Sequence, residues 1–358
     1  MAERAEAPLV RAELLRQPSV PHGSVAAAEL AELGLATADV VDFSVNTNPL
    51  GPAPSVLRAI AGTDWTRYPG DDERPLRQRL AERAGVSAEQ VVLGNGSAEL
   101  LWLIALASIR PGDRVAVLGP TFGEYARAAR VTGACVRELD HSDLAEPTRV
   151  LFVCNPNNPT GDYVPAGRIR QLLDESSARL LVLDEAYATF VDQRWPSEPL
   201  LERGNLVVLR SMTKDHALPG LRLGYALAAP EVARAMAAAR PPWSVNAGAL
   251  RAGLAALEPE AEAHVARARE VVRTSRRLLT DGLTRLGLRA RPAAANFVLV
   301  DVGDGARFRS ALLREGLVVR DCASFGLPSC VRIACRLPQD CERLLGAVDR
   351  LAMRVADG

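Results

Sequence analysis

Leu180-Leu181-Val182-Leu183-Asp184-Glu185-Ala186-Tyr187 decides the fold class. Four apolar residues follow one another without the alternation of a half-exposed strand, which is the pattern of a strand buried on both faces. The run then stops at a carboxylate. Comparable short runs stand on either side: Val91-Val92-Leu93, Val115-Ala116-Val117-Leu118, Val150-Leu151-Phe152-Val153, Leu206-Val207-Val208-Leu209 and Gly224-Tyr225-Ala226-Leu227. Helical spacing over 99–108, 124–132 and 165–176 fills the intervals between the earlier ones. Strand, helix, strand at this spacing predicts an α/β fold with a mostly parallel sheet covered on both faces.

In an open parallel sheet, ligands collect outside the carboxyl ends of the strands. The unusual residues of this chain sit there. Gly94-Asn95-Gly96-Ser97 leads into a helix and suits a phosphate, because glycine lets the backbone approach an anion and a helix start offers unpaired N–H groups. A plain strand-to-helix turn uses the same residues, so that segment leaves both readings open. The next runs lead into Gly119-Pro120-Thr121-Phe122, into Asn155-Pro156-Asn157-Asn158-Pro159-Thr160-Gly161, and into Asp184. An aspartate directly after Leu181-Val182-Leu183 is costly unless a cation or hydrogen-bond donor meets it. A protonated pyridine nitrogen would do so; capping of the following turn is the alternative.

The fifth run delivers Ser211, Thr213 and Lys214, with Arg222 after them. Lys214 is the one lysine among 43 basic residues, the other 42 being arginine. A guanidinium that keeps its proton cannot attack a carbonyl, whereas an amine can condense with an aldehyde to a Schiff base. Two hydroxyls, an amine and a guanidinium on one loop can hold a phosphate while that condensation takes place beside it.

At 358 residues the chain exceeds what one hydrophobic core serves, so two lobes are expected. Acidic and basic residues balance at 43 each, which leaves no electrostatic footprint for nucleic acid or anionic lipid. The longest apolar stretch, 100–109, is too short to cross a bilayer, and the amino-terminal region lacks a signal-peptide core, so a cytoplasmic protein is expected. Six cysteines without a C-x-x-C pair are expected to be reduced and mostly buried, and no metal site is expected. Residues 1–40 read as an arm ending in a helix over 25–33 that packs with the smaller lobe. Residues 41–245 form the large domain. Pro241-Pro242-Trp243 marks the break, and 246–358 read as a smaller α+β domain with a long helical pattern over 249–286 and strands near 296–302 and 331–335.

Two other classes account for parts of this pattern. A dinucleotide-binding oxidoreductase would explain Gly94-x-Gly96, but Glu99 replaces the third glycine of that fingerprint and no acidic residue ends the next strand. A non-catalytic regulator on the same fold would not need Lys214, Asp184 and Arg222 together.

Taken together, Asn155 to Gly161, Asp184-Glu185-Ala186-Tyr187, and Ser211-x-Thr213-Lys214 followed by Pro219-Gly220-Leu221-Arg222-Leu223-Gly224 resemble the fold type I pyridoxal-phosphate enzymes of the class I/II aminotransferase superfamily, over nearly the whole length. The resemblance implies pyridoxal 5'-phosphate as cofactor, with Lys214 condensing with its aldehyde and later moving the proton. Asp184 would pair with the ring nitrogen, Asn158 and Tyr187 would bond the phenolic oxygen, and Phe122 would stack on the ring. Gly96, Ser97, Ala98, Ser211, Thr213 and Arg222 would hold the phosphate. Tyr68 resembles the tyrosine that reaches the neighbouring subunit's phosphate, which implies a homodimer with shared sites. Arg332 matches the arginine for the substrate carboxylate.

Two branches of the superfamily compete, histidinol-phosphate aminotransferase and threonine-phosphate decarboxylase. His22-Gly23, Asn46-x-Asn48-Pro49, Arg320-Asp321-Cys322 with Phe325, and the doubled Arg332 and Arg336 tilt toward the decarboxylase, and they add His22, Asn48 and Arg336 to the expected substrate-binding residues. Asp215-His216 after the lysine departs from that branch, which typically carries bulky aromatics there. The expected reaction is decarboxylation of L-threonine O-3-phosphate to (R)-1-amino-2-propanol O-2-phosphate; the alternative is an aminotransferase of the histidinol-phosphate type.

Overall fold

The computed structural model describes residues 9–17, 20–21, 23, 25–69, 73–140 and 147–356. After a first short strand, Val41–Asp42 (β1), the chain builds a seven-stranded sheet from Val91–Gly94 (β2), Arg114–Leu118 (β3), Cys135–Leu139 (β4), Val150–Cys154 (β5), Leu180–Asp184 (β6), Leu206–Ser211 (β7) and Gly224–Ala228 (β8). Its spatial order is β2-β8-β7-β6-β5-β3-β4. The pairings from β7 through β4 are all parallel, whereas β8 runs antiparallel to both β7 and β2. The mixed α/β class with a large, mostly parallel sheet is as expected, and all six apolar runs are strands.

Alternate residues of these runs enter two different cores. On one face Leu151, Val153, Leu181, Leu183, Leu206 and Val208 are buried together; on the other Val150, Phe152, Val182, Val207 and Leu209 are. Such two-sided burial is what an unbroken apolar run requires. Strand β4 was not expected: it is an edge strand in which Cys135, Arg137 and Glu138 are exposed, so its sequence lacks an apolar run.

The carboxyl-terminal part carries a smaller antiparallel sheet in the order β12-β13-β10-β9. Its strands are Arg289–Ala290 (β9), Phe297–Asp301 (β10), Arg320–Asp321 (β12) and Cys330–Ala334 (β13), and Leu317–Val318 (β11) pairs in parallel with β1. The long helical pattern divides at Leu257-Glu258 into helices Ala247–Ala256 and Pro259–Arg285, since Pro259 has no N–H to continue the first and is favoured at the start of the second. Leu30, on the short helix Ala27–Glu32, packs on Leu313 and Val318, and Glu29 pairs with Arg309. All six cysteines are free and five are buried; Cys335 and Cys341 belong to the core beneath the smaller sheet, where burial raises both thiol pKa values. Among the described residues there is no cluster of metal-ligating side chains and no helix long and apolar enough to cross a membrane.

Candidate active site

A cavity of about 410 Å³ opens where β3, β5, β6 and β7 end. The smaller sheet closes its far side with Arg320 and Arg332, and Val20, Pro21 and Gly23 of the arm form part of its rim.

Strand β6 contributes through its period of two. Asp184 faces the cavity and is almost fully buried, accepting from Tyr125 O–H at 2.8 Å and from the Ala186 backbone N–H at 2.9 Å. Burial raises its pKa against those two bonds and the attraction of Lys214. Glu185 points to the opposite side, where Arg210 donates to it at 2.9 Å and Arg194 at 3.2 Å. A cation in the cavity would favour the ionised form of Asp184 against that burial.

Strand β7 ends at Ser211, and the one-turn helix Met212–Asp215 presents Thr213 and Lys214 to the cavity. Ser211 Oγ and Thr213 Oγ1 lie 2.7 Å apart. The Lys214 pKa is pushed down to about 8, chiefly by burial and further by Arg332 and Arg222, with Asp184 opposing. At that value roughly a tenth of the amine is uncharged at pH 7, a nucleophilic state that arginine does not reach.

The phosphate end is built around Gly96, which starts the helix Gly96–Ser108 with φ of +79°. A Cβ there would stand 2.6 Å from Arg222 Nη2, and one at Gly224 would stand 2.6 Å from Ser97 N. Glycine at 96 lets Arg222 close on the helix start, and glycine at 224 lets β8 pass beside it; unpaired N–H groups and the helix dipole favour an anion there. Arg222 itself has φ of +62° and donates to Pro219 O at 3.0 Å. Ser97 and Ala98 line the cavity beside it, and Phe122 lies edge-on to Tyr125 at 5.6 Å.

Arg332, on β13, is buried: Nη1 donates to Asn158 Oδ1 and Nη2 to Ser44 O at 2.7 Å, with its guanidinium 5.4 Å from the Phe297 ring centre. The β12–β13 register sets Arg320 directly opposite Arg332. Arg320 donates to Pro21 O at 2.9 Å and Ser324 Oγ at 2.8 Å, and its pKa is lowered by burial and then by Arg332. Tyr187 is buried against Phe297, its pKa pushed up to about 12, chiefly by burial. Asn46 lies beside Tyr187 at the cavity wall, and its buried amide lacks a well-formed hydrogen bond within the protein.

These features match a flat, cationic heteroaromatic aldehyde carrying a phosphate. Asp184 offers the carboxylate for a ring N–H, Lys214 the amine, Tyr187, Asn158 and Asn46 the polar groups, and Arg222 with the start of the 96–108 helix an anion cradle.

The structure brings Lys214, Asp184, Tyr187, Asn158, Phe122, Ser97, Ala98, Ser211, Thr213, Arg222 and Arg332 to one cavity, with Gly96 packed behind Arg222. Two expected substrate-binding residues stand elsewhere. Arg336 lies past the end of β13 and donates to Asp42 O, Thr47 Oγ1 and Val45 O, so its guanidinium ties the amino-terminal segment to the smaller sheet. Asn48 is buried outside the cavity, where its Nδ2 donates to Asp215 O. Tyr68 is 76% exposed and stacks on Trp243 at 4.4 Å. His22 lies outside the described residues. Asn46, Tyr125, Arg320 and Ser324 were not among the expected site residues; the polar Asn46-x-Asn48 pair and the tyrosine three residues after Phe122 were the available signals.

The model of the family "Aminotransferase class I and II" matches residues 38–348. A histidinol-phosphate aminotransferase of Symbiobacterium thermophilum is 39% identical over 88% of this chain and 91% of its own, and one of Pseudomonas aeruginosa is 37% identical over 89% and 91%. Among solved structures, histidinol-phosphate aminotransferase of Sinorhizobium meliloti in complex with pyridoxal-5'-phosphate superposes with a TM-score of 0.85 at 25% identity, covering 98% of this chain and 99% of that one. L-threonine-O-3-phosphate decarboxylase of Porphyromonas gingivalis gives a TM-score of 0.77 at 28% identity, covering 86% and 98%.

Proposed function

Since the chain belongs to the class I and II aminotransferase family and its cofactor is pyridoxal 5'-phosphate, we propose that it is an aminotransferase of the histidinol-phosphate type, moving an amino group between a small phosphorylated amine and a 2-oxo acid. The expected threonine-phosphate decarboxylation becomes the second reading. The relatives of this chain in Symbiobacterium thermophilum and Pseudomonas aeruginosa are histidinol-phosphate aminotransferases, and one of the features that favoured the decarboxylase, a substrate-facing pair of Arg332 and Arg336, is weakened because Arg336 is occupied with backbone carbonyls.

The observation that carries the proposal is the pairing of Arg320 and Arg332 across β12 and β13. Like charges directly opposite each other on a sheet destabilise it, and these two are also desolvated, so an anion lying between them relieves both costs. A phosphate ester and an oxo-acid carboxylate can use that position in turn, as the two halves of a transamination require.

When bound, the cofactor supplies an aldehyde for the substrate amine and a ring that accepts the electron pair of the broken α-bond. Asp184 keeps the ring nitrogen protonated. Lys214 Nζ removes the proton from the substrate α-carbon, and its low pKa suits that role. Arg332 and Arg320 orient the anionic end, and the arm at Val20, Pro21 and Gly23 restricts water on that side. We also assign a homodimer, supported by exposed Tyr68, Trp65 and Trp243, with Tyr68 serving the partner's phosphate. A cytoplasmic setting fits six free thiols.

The test is purified enzyme loaded with cofactor and offered L-histidinol phosphate plus 2-oxoglutarate in one arm and O-phospho-L-threonine in the other. Glutamate formation in the first arm is expected. Carbon dioxide from the second arm without amino transfer in the first would replace the proposal with the decarboxylase reading.

A further inference from the structure

We propose that Asp215 is a positioning residue: its carboxylate ties the lysine-bearing helix to the turn that carries Tyr187 and so sets where Lys214 Nζ stands.

The helix Met212–Asp215 is a single turn, too short to hold its own shape. It also stands between two hollows. Thr213 and Lys214 face the cavity of the candidate active site, while Asp215 and His216 face a second cavity of about 490 Å³ behind it. Met212 and Thr213 are buried, whereas Asp215 and His216 are only partly so, and packing holds the first half of this turn better than the second. Hydrogen bonds supply the rest. Asn48 N–H donates to Lys214 O at 2.8 Å and Asn48 Nδ2 to Asp215 O at 2.9 Å, fixing the backbone from one side.

From the other side, Thr189 Oγ1 donates to Asp215 Oδ2 at 3.1 Å, and the His216 backbone N–H donates to Oδ1 at 3.0 Å. Thr189 belongs to the 3-10 turn Ala188–Phe190, which begins directly after Tyr187. The Asp215–Thr189 bond thus joins the two segments that bring Lys214 and Tyr187 to one cavity, where the amine would hold the cofactor's aldehyde and the phenol would hydrogen-bond it. An error of about 1 Å in such a group can cost up to about a hundredfold in rate. Asp215-His216 was the part of the lysine motif that no expected role absorbed, and this tie gives its aspartate one.

The experiment compares Asp215→Ala, Asp215→Asn, Thr189→Val and the double Asp215→Ala/Thr189→Val in the full-length, cofactor-loaded enzyme. Asp215→Ala and Thr189→Val are each expected to lower kcat about tenfold with KM for the amine changed by less than about twofold. Both should also shift the balance of the two visible cofactor bands of the substrate-free enzyme at fixed pH. The double variant should lose no more than the worse single one, and Asp215→Asn, whose amide oxygen still accepts from Thr189, should recover most of both signals. Unchanged spectrum and kcat in Asp215→Ala, full additivity in the double, or no recovery by Asp215→Asn would each overturn the proposal. If Asp215→Ala fails to fold, Thr189→Val and Asp215→Asn decide by the same readouts. The inference rests on Lys214 holding the cofactor and not on the choice of substrate; absence of any cofactor band in the unsubstituted protein would instead defeat that underlying reading.

Discussion

Lys214→Arg is expected to lower kcat by roughly 10⁴-fold or more, measured as amino transfer under saturating substrates. The substitution keeps a positive charge next to Asp184 and comparable bulk, so the fold and the electrostatic balance of the cavity should survive. What it removes is the ability to exist as a neutral amine. In the native chain that ability comes from burial together with Arg332 and Arg222, which hold the Lys214 pKa at about 8. A guanidinium in the same place stays protonated, and so can neither attack an aldehyde nor accept the α-proton. The variant should still bind cofactor through Arg222 and the helix start, with an altered visible spectrum. A kcat within tenfold of the native value would contradict the assignment.

Asp184→Asn is expected to cost about 10²- to 10³-fold in kcat, in line with removal of a preorganised charge-stabilising group from a dry site. Asparagine keeps the shape, but its one oxygen can accept from Tyr125 or from the Ala186 N–H and not from both, so the loss combines the charge with one hydrogen bond. Burial raises the pKa of Asp184, and the bonds from Tyr125 and Ala186 and the attraction of Lys214 oppose that. A protonated ring nitrogen would complete its environment, and the carboxylate would in turn hold that proton in place. Cofactor affinity should fall together with kcat. A variant of native kcat and native affinity would show that the ring nitrogen does not meet this side chain.

The large sheet was readable because its strands are buried on both faces, so each appears as an unbroken apolar run; β6, which stops at Asp184, is the clearest case. Strand β4 was not, because an edge strand with Arg137 and Glu138 exposed has no such run. Strand ends were equally informative about the site, since a parallel sheet delivers its carboxyl ends to one edge whatever lies between. The substrate side was harder. Whether Arg332 or Arg336 faces the cavity depends on where β13 ends, and only within the strand does the period of two assign a face; Arg336 lies beyond Ala334. Arg320 enters through its cross-strand partner, a relation that depends on register. Asn46 and Asn48 likewise lie in a loop, where no periodicity tells which amide turns inward.

The central claim is that the ε-amine of Lys214 carries the cofactor. Reducing the loaded enzyme with a mild hydride donor, digesting it and mapping the peptides tests this most directly. A phosphopyridoxyl group on Lys214 in near-stoichiometric yield is expected. An unmodified Lys214 from an enzyme that was fully loaded and active beforehand would contradict it.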